Sequence, residues 1–169
     1  TKLAQPRKFV GMDASVRKYD LLTSLSTFGL AGSQGLATTV MRLNLLITAR
    51  YNWKADEVRI GHVELASMWS VSLRTAKRET QRMQKLELIS LKRQGVKGRV
   101  SVYRLNHAKI TEQTKSTWSL MGPDIEARMS DYAEQTFRDG ENNILALTEN
   151  TTNAMRRPAQ NSTTSTNTT

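Results

Sequence analysis

The sequence predicts a mainly α-helical domain that carries one small β-hairpin. Apolar residues recur at helical spacing in three stretches, residues 15–28, 36–51 and 73–86. Residues 88–105 instead show two short alternating segments on either side of a glycine-containing turn, which is typical of a hairpin. The charge is also uneven, because residues 74–104 hold ten basic and only two acidic side chains of a chain whose net charge is +10.

These patterns divide the 169 residues into one folded unit and its flanks. We expect a flexible basic arm at residues 1–14, a folded domain at 15–105, a linker and C-terminal helix at 106–141, and a disordered low-complexity tail at 142–169.

Two helices open the predicted domain. The first spans residues 15–28, and "GLAGSQG" ends it, with Ser33 as a candidate N-cap for the second helix. The second helix has a wide apolar face, which Met41, Leu45 and Leu46 broaden further. We therefore expect the second helix to be well buried.

A strand, a short helix and a basic helix follow. Val58 and Ile60 alternate with Arg59, which favours a short strand. "HVELASMW" then reads as a short helix, and Ser70-Val71-Ser72 as a tight connector in which Ser72 caps the next helix. On that next helix the apolar residues share one side, and the other side carries Arg74, Arg78, Gln81, Arg82 and Lys85, with Thr75 and Lys77 at its margins.

The hairpin has a basic tip. Its turn formers are Gly95 and Gly98, and its cations include Arg93, Lys97 and Arg99. Residues 106–117 read as a polar linker. Pro123 and Asp124 suit the first turn of a further helix.

This order of elements is that of a winged helix-turn-helix, in which the second helix of the pair enters the DNA major groove. Arg and Lys neutralise phosphates, Arg and Gln can read guanine and adenine, and Ser or Thr can contact a phosphate. The predicted contacts to double-stranded DNA are Ser72, Arg74, Thr75, Lys77, Arg78, Gln81, Arg82, Lys85, Arg93, Lys97 and Arg99.

The same residues carry a resemblance. The segments "RYNWKADEVRIGHVELASMWSVSLRTAKRE", "LKRQGVKGRVSVYRL" and "WSLMGPDIEAR" resemble the winged-helix region of DnaA-like replication initiator proteins from bacterial plasmids. The resemblance implies sequence-specific DNA binding in plasmid or phage replication initiation, or in transcription regulation. It also implies a second domain after Gly122-Pro123-Asp124. Because the chain turns acidic and then low in complexity after about Phe137, we expect that domain to be missing or truncated.

Other classes of function lack their markers. The chain has no cysteine, its two histidines are far apart, and both G-x-S-x-G and G-x-x-x-x-G-K-[ST] are absent. His62 and Glu64 form H-x-E, but the P-C-x-x-C partner of a zinc deaminase is missing. We therefore expect no enzyme activity, cofactor, metal site or small-molecule ligand. Trp69 is expected to be a core residue and Trp53 a semi-buried lid on the first helices, rather than base-stacking platforms.

Two alternatives stay open at this stage. The basic helix could instead bind a protein partner, which would make the domain an interaction or structural module. An RNA-binding role is disfavoured by the lack of interleaved aromatic residues. A homodimer is compatible with the sequence but is not visible in it. Without an apolar span or secretory signal, we expect a protein of the bacterial cytoplasm or nucleoid with no membrane contact.

Overall fold

The computed structural model describes residues 12–156, which form a mainly helical structure with one three-stranded antiparallel sheet. The elements are α1 (Met12–Ala31), α2 (Gln34–Arg50), β1 (Val58–Ile60), α3 (His62–Trp69), α4 (Leu73–Lys85), β2 (Ile89–Arg93), β3 (Ser101–Leu105), α5 (His107–Thr114), a 3₁₀ segment (Lys115–Met121) and α6 (Pro123–Arg156). The described residues exclude positions 1–11 of the expected basic arm and positions 157–169 of the expected tail. The arm was expected to reach residue 14, which is wrong because α1 already begins at Met12.

The helices α1 and α2 pack against each other and supply much of the core. Ser33 caps α2 as predicted, because its side chain accepts a hydrogen bond from the backbone N–H of Leu36 at 3.1 Å. Leu46 is buried, but Met41 is 72% exposed and Leu45 is 45% exposed. α2 is therefore buried along one face, but the expectation that Met41 and Leu45 broaden that face is wrong.

The sheet has the strand order β1-β3-β2, so the first strand of the chain pairs with the last. Arg59 of β1 and Arg93 of β2 both stand beside Val102 of the central strand, and β2 has an irregularity between Leu91 and Arg93. The chain between β1 and β3 includes α3, α4 and β2. The sheet therefore ties the hairpin formed by β2 and β3 to the chain that precedes the α3–α4 pair.

Trp69 lies in the core and Trp53 is partly buried against it, as the sequence predicts. Trp69 is 7% exposed and donates a hydrogen bond from Nε1 to the backbone carbonyl of Arg42 at 3.0 Å. Trp53 is half-buried, and the centroid of its ring lies 5.0 Å from that of Tyr51 in an edge-to-face arrangement. Trp69 therefore joins α3 to α2, and the ring of Trp53 packs beside the residue that ends α2.

The expectation of a polar linker at 106–117 is wrong, because this stretch is helical. α5 and the 3₁₀ segment pack against α1, with Ile110 fully buried. Thr111 and Thr114 are also buried, and their hydroxyls donate to carbonyls one turn earlier, at His107 and Ile110. Because threonines take inward positions here, the composition reads as polar although the stretch belongs to the packed body of the protein.

α6 extends 34 residues, far into the stretch where the sequence predicts a structureless tail from residue 142. Its first half is anchored: Met129 is 2% exposed, and Arg128 and Tyr132 bind the buried carboxylate of Asp20 at 2.8 and 3.0 Å. Every described side chain from residue 140 to 155 is exposed. Adding residues to an established helix is far easier than nucleating one, so the anchored half supports the continuation.

Candidate nucleic-acid interface

A three-residue connector joins α3 to α4 and sets the direction of α4. Ser70 adopts the left-handed conformation with φ of 52°, and the N–H of Val71 bonds to the carbonyl of Ala66 at 3.0 Å, which closes α3. Ser72 then caps α4, because its hydroxyl accepts from the N–H of Thr75 at 3.1 Å. The sequence prediction of a tight connector with Ser72 as the cap is confirmed.

The inner side of α4 is uncharged with one acidic exception. Ala76 and Met83 are fully buried. Glu79, the acid of this helix, is 5% exposed and also points inward, where its carboxylate meets the guanidinium of Arg42 at 3.1 Å and accepts from the hydroxyl of Thr39 at 3.0 Å. The negative charge of α4 is therefore neutralised inside the protein.

The outer face of α4 is consequently cationic and polar. It is formed by exposed side chains on consecutive turns, and they are Arg74, Lys77, Arg78, Gln81 and Lys85. Arg74, Arg78, Gln81 and Lys85 follow each other at spacings of four, three and four residues, so they form one stripe along the helix. No acidic side chain interrupts this stripe.

Arg82 and Thr75 stand at the margins of the outer face, since both are only half exposed. A Cβ added to Gly35 would lie 3.3 Å from Nη1 of Arg82, so this guanidinium rests close to the first turn of α2. The hydroxyl of Thr75 accepts from that of Ser72 at 3.0 Å. The sequence prediction placed Arg82 fully outward, and its contact with α2 moves it to the edge.

The hairpin tip, residues 96–99, is a tight turn closed by two backbone hydrogen bonds. Val96 and Arg99 exchange N–H···O bonds of 2.9 and 2.8 Å, which leaves Lys97 and Gly98 at the end of the turn. Gly98 has φ of +84°, a conformation that favours glycine. A Cβ at Gly95 would lie 2.9 Å from the backbone nitrogen of Ser101, so this position also requires glycine.

The structure adds an arginine that the sequence analysis did not assign to the site. Arg59 on β1, Arg93 on β2 and Arg99 on the hairpin tip line one shallow depression on the sheet, together with Gly98. Arg59 is 61% exposed, and its guanidinium lies 3.6 Å from Glu57. The sequence does indicate that Arg59 is exposed, because it lies between two buried strand residues. Its place beside the hairpin depends on the pairing of β1 with β3, which could not be inferred from the sequence pattern.

Most cations of residues 74–104 have no acidic partner. Lys92 lies 3.8 Å from Glu57, and Arg104 lies 2.8 Å from Asp56. Within residues 12–156, no carboxylate lies in ion-pair distance of the other eight, which are Arg74, Lys77, Arg78, Arg82, Lys85, Arg93, Lys97 and Arg99. Within the described residues, the positive charge of these eight side chains on α4 and the hairpin is therefore not balanced by ion pairs.

Arg104 belongs instead to a cluster around Asp56 at the far end of β3. Asp56 accepts hydrogen bonds from Tyr51 at 2.6 Å and from Arg104 and His107 at 2.8 Å. Burial by itself would raise the pKa of Asp56, but the hydrogen bonds from His107, Tyr51 and Arg104 outweigh it and hold this pKa well below its ordinary value. The cluster links the β1 region to β3 and α5, and its role is structural.

In the part of the chain that the structure describes, no group of three His, Cys, Asp or Glu side chains is arranged to hold a metal ion. None of the helices between residues 12 and 156 is both long enough and apolar enough to cross a lipid bilayer.

Comparisons of this chain with protein-family models, with curated proteins and with solved structures find no match.

Proposed function

We propose that this protein binds double-stranded DNA in a sequence-specific manner through a winged helix-turn-helix, with α3 and α4 as the helix pair and the β2–β3 hairpin as the wing. The observation that carries the proposal is the set of eight cations on α4 and the hairpin without a carboxylate partner among the described residues. Such a surface suits a dense array of phosphates, whose condensed counterions it would release.

The proposed reader is the outer face of α4. The helix has 13 residues and is about 20 Å long, and its diameter suits the major groove. Arg74 and Arg78 can each donate two hydrogen bonds to a guanine, and Gln81 can bond with an adenine in the same bidentate way. Thr75 and the cap residue Ser72 lie at the helix N-terminus, where backbone N–H groups favour a phosphate.

The proposed wing contacts the DNA backbone beside the reader. Lys97 and Arg99 stand at its exposed tip, and Arg93 and Arg59 stand at its base. Point charges of this kind position a protein on a duplex and add little sequence information. In this proposal α4 therefore reads the bases and the hairpin binds the DNA backbone.

The test is a titration of fluorescently labelled duplexes with the wild type and two matched arginine variants. In Arg78→Ala a residue of the outer face is lost, and in Arg138→Ala an exposed arginine of α6 is lost, so both variants have the same net charge. We expect Arg78→Ala to weaken binding to the selected site by about 1–3 kcal/mol and to reduce discrimination between sites. We expect Arg138→Ala to bind like the wild type. Equal effects of the two variants would reject α4 as the reader.

Selection of bound fragments from a random duplex pool supplies the site and indicates the role. A site that recurs as direct repeats would support replication initiation, as the resemblance to plasmid initiators implies. A palindrome in a promoter would support transcription regulation. Failure to bind any duplex at low salt would reject the proposal and favour a module that uses α4 to bind a protein.

A further inference from the structure

The distal half of α6, residues 140–155, is exposed along its whole length. Side chains from residue 140 to 155 are all exposed, including Ile144 at 65%, Leu147 at 67% and Met155 at 83%. This half is rich in Asn and Thr, which are poor helix formers, and a helix of such length is marginal in water by itself. An exposed apolar stripe on such a helix is typical of a surface that packs against another helix.

The stripe has the spacing of a coiled-coil seam. Its positions alternate by four and three residues, and they are Ala133, Phe137, Gly140, Ile144, Leu147, Thr151 and Ala154. In heptad terms Phe137, Ile144 and Thr151 are a positions, and the other four are d positions. These seven residues, which we name the α6 seam, cover about three heptads and carry no charge.

The seam is continuous with an apolar groove at the base of α6. Phe137, Gly140 and Ile144 line this groove on one side, and Trp118 of the 3₁₀ segment lies on the other. A Cβ added to Gly140 would meet nothing within 4 Å, so the helix surface is open at this point. Glycine within a helix costs about 1 kcal/mol relative to alanine, but it lets a second backbone come close.

We propose that the α6 seam pairs with the α6 seam of a second copy of this chain, in parallel. The heptad spacing favours a helix with the same repeat, and a second copy provides it. In a parallel pair, the side chains that flank the seam on one helix, Thr136, Asn143 and Asn150, face Glu141, Thr148 and Met155 of the other. No like charges then oppose each other, and the groove beside Phe137 is filled from the partner helix.

The first test is the mass of the full chain in solution, measured by sedimentation equilibrium from about 1 to 100 μM. The wild type is expected to be a dimer in this range. Ile144→Glu puts a charge into the seam, whereas Leu145→Glu puts the same charge on an equally exposed neighbour outside it. We expect Ile144→Glu to be monomeric and Leu145→Glu to stay dimeric. A monomeric wild type, or equal behaviour of the two variants, would overturn the proposal.

The second test uses the absence of cysteine from the chain. Leu147→Cys places a thiol at a d position, where the two copies of a parallel pair face each other, and Leu145→Cys places it outside the seam. Mild oxidation is expected to cross-link the first variant and to leave the second largely uncross-linked. If the protein is a dimer but the Leu147→Cys variant does not cross-link, the parallel arrangement of the seam is rejected. Because the mass is measured without DNA, this result is independent of the proposed DNA binding.

Discussion

Glu79 determines what the outer face of α4 presents to a partner. The helical pattern allows this acid to lie near the boundary between the two sides, and an outward position would have placed it among the cations of the outer face. Arg42 on α2 and Thr39 draw it inward, at 3.1 and 3.0 Å. A buried carboxylate is tolerated only when paired, so one ion pair between α2 and α4 keeps the outer face free of negative charge.

Asp56 makes the stability of the fold depend on pH. Its ordinary pKa is 3.8, and in the folded protein its hydrogen bonds hold the pKa well below that value. Near and below this pH the unfolded chain therefore binds the proton more readily than the folded one. The stabilisation from Asp56 is complete above the ordinary value and is lost as the pH falls through the lowered one.

We expect Asp56→Asn to remove this contribution. Urea unfolding from about pH 6 to about pH 2 should show a steeper fall in the free energy of unfolding for the wild type than for the variant. Glu112→Gln is the control, because this carboxylate is 71% exposed and its pair with Lys109 lies on the surface. If Asp56→Asn shows the same pH profile as the wild type, the Asp56 cluster does not contribute in the way described.

At the scale of an element, α2 and α4 begin with the same kind of N-cap. In each, a serine side chain accepts a hydrogen bond from an N–H three residues later at 3.1 Å, Ser33 in α2 and Ser72 in α4. The two caps are therefore matched in geometry, but only Ser72 lies at the proposed DNA surface.

We expect Ser72→Ala and Ser33→Ala each to lower the free energy of unfolding by about 1 kcal/mol, as measured by urea titration. The affinity for the selected DNA site should fall in Ser72→Ala alone, since that variant also loses a hydroxyl next to the proposed phosphate. A similar loss of affinity in both variants would attribute the effect to stability and not to contact.

Some elements could be predicted from the sequence and others could not. The pattern of β1, α3, the Ser70-Val71-Ser72 connector, α4 and the hairpin was sufficient, because alternation, capping and glycine turns are local signals. α5 was missed since Thr111 and Thr114 satisfy their hydroxyls on the helix backbone and become buried. The distal half of α6 was missed because its Asn and Thr content masks the four-and-three spacing of Ile144 and Leu147.

At the scale of the whole molecule, the arrangement of charge separates two regions. The eight unpaired cations belong to α4 and the hairpin, while the exposed half of α6 carries Glu141 and Glu149 and lacks basic residues until Arg156. The concentration of charge in residues 74–104 was evident from the sequence. The position of Arg59 beside the arginines of the hairpin was not evident from the sequence, because it depends on the long-range pairing of β1 with β3.

We expect DNA affinity to fall steeply with salt, and Lys97→Ala to change that dependence in a measurable way. Loss of one phosphate contact should reduce the slope of log K against log salt by about 1 and weaken selected and random duplexes alike. Titrations of both duplexes across a series of salt concentrations give the slopes. If Lys97→Ala keeps the wild-type slope, or affects only the selected duplex, the hairpin tip does not bind the backbone.

The pairing of β1 with β3 also governs how the chain reaches its folded state. The contacts between α3 and α4 are local and can form early, but Val58 meets Tyr103 only after the intervening chain has come together. We infer that closure of the sheet is a late step, and that α4 and the hairpin acquire their fixed relation at that moment. In native-state hydrogen exchange, the amides of β1 and β3 would then open together as one cooperative unit.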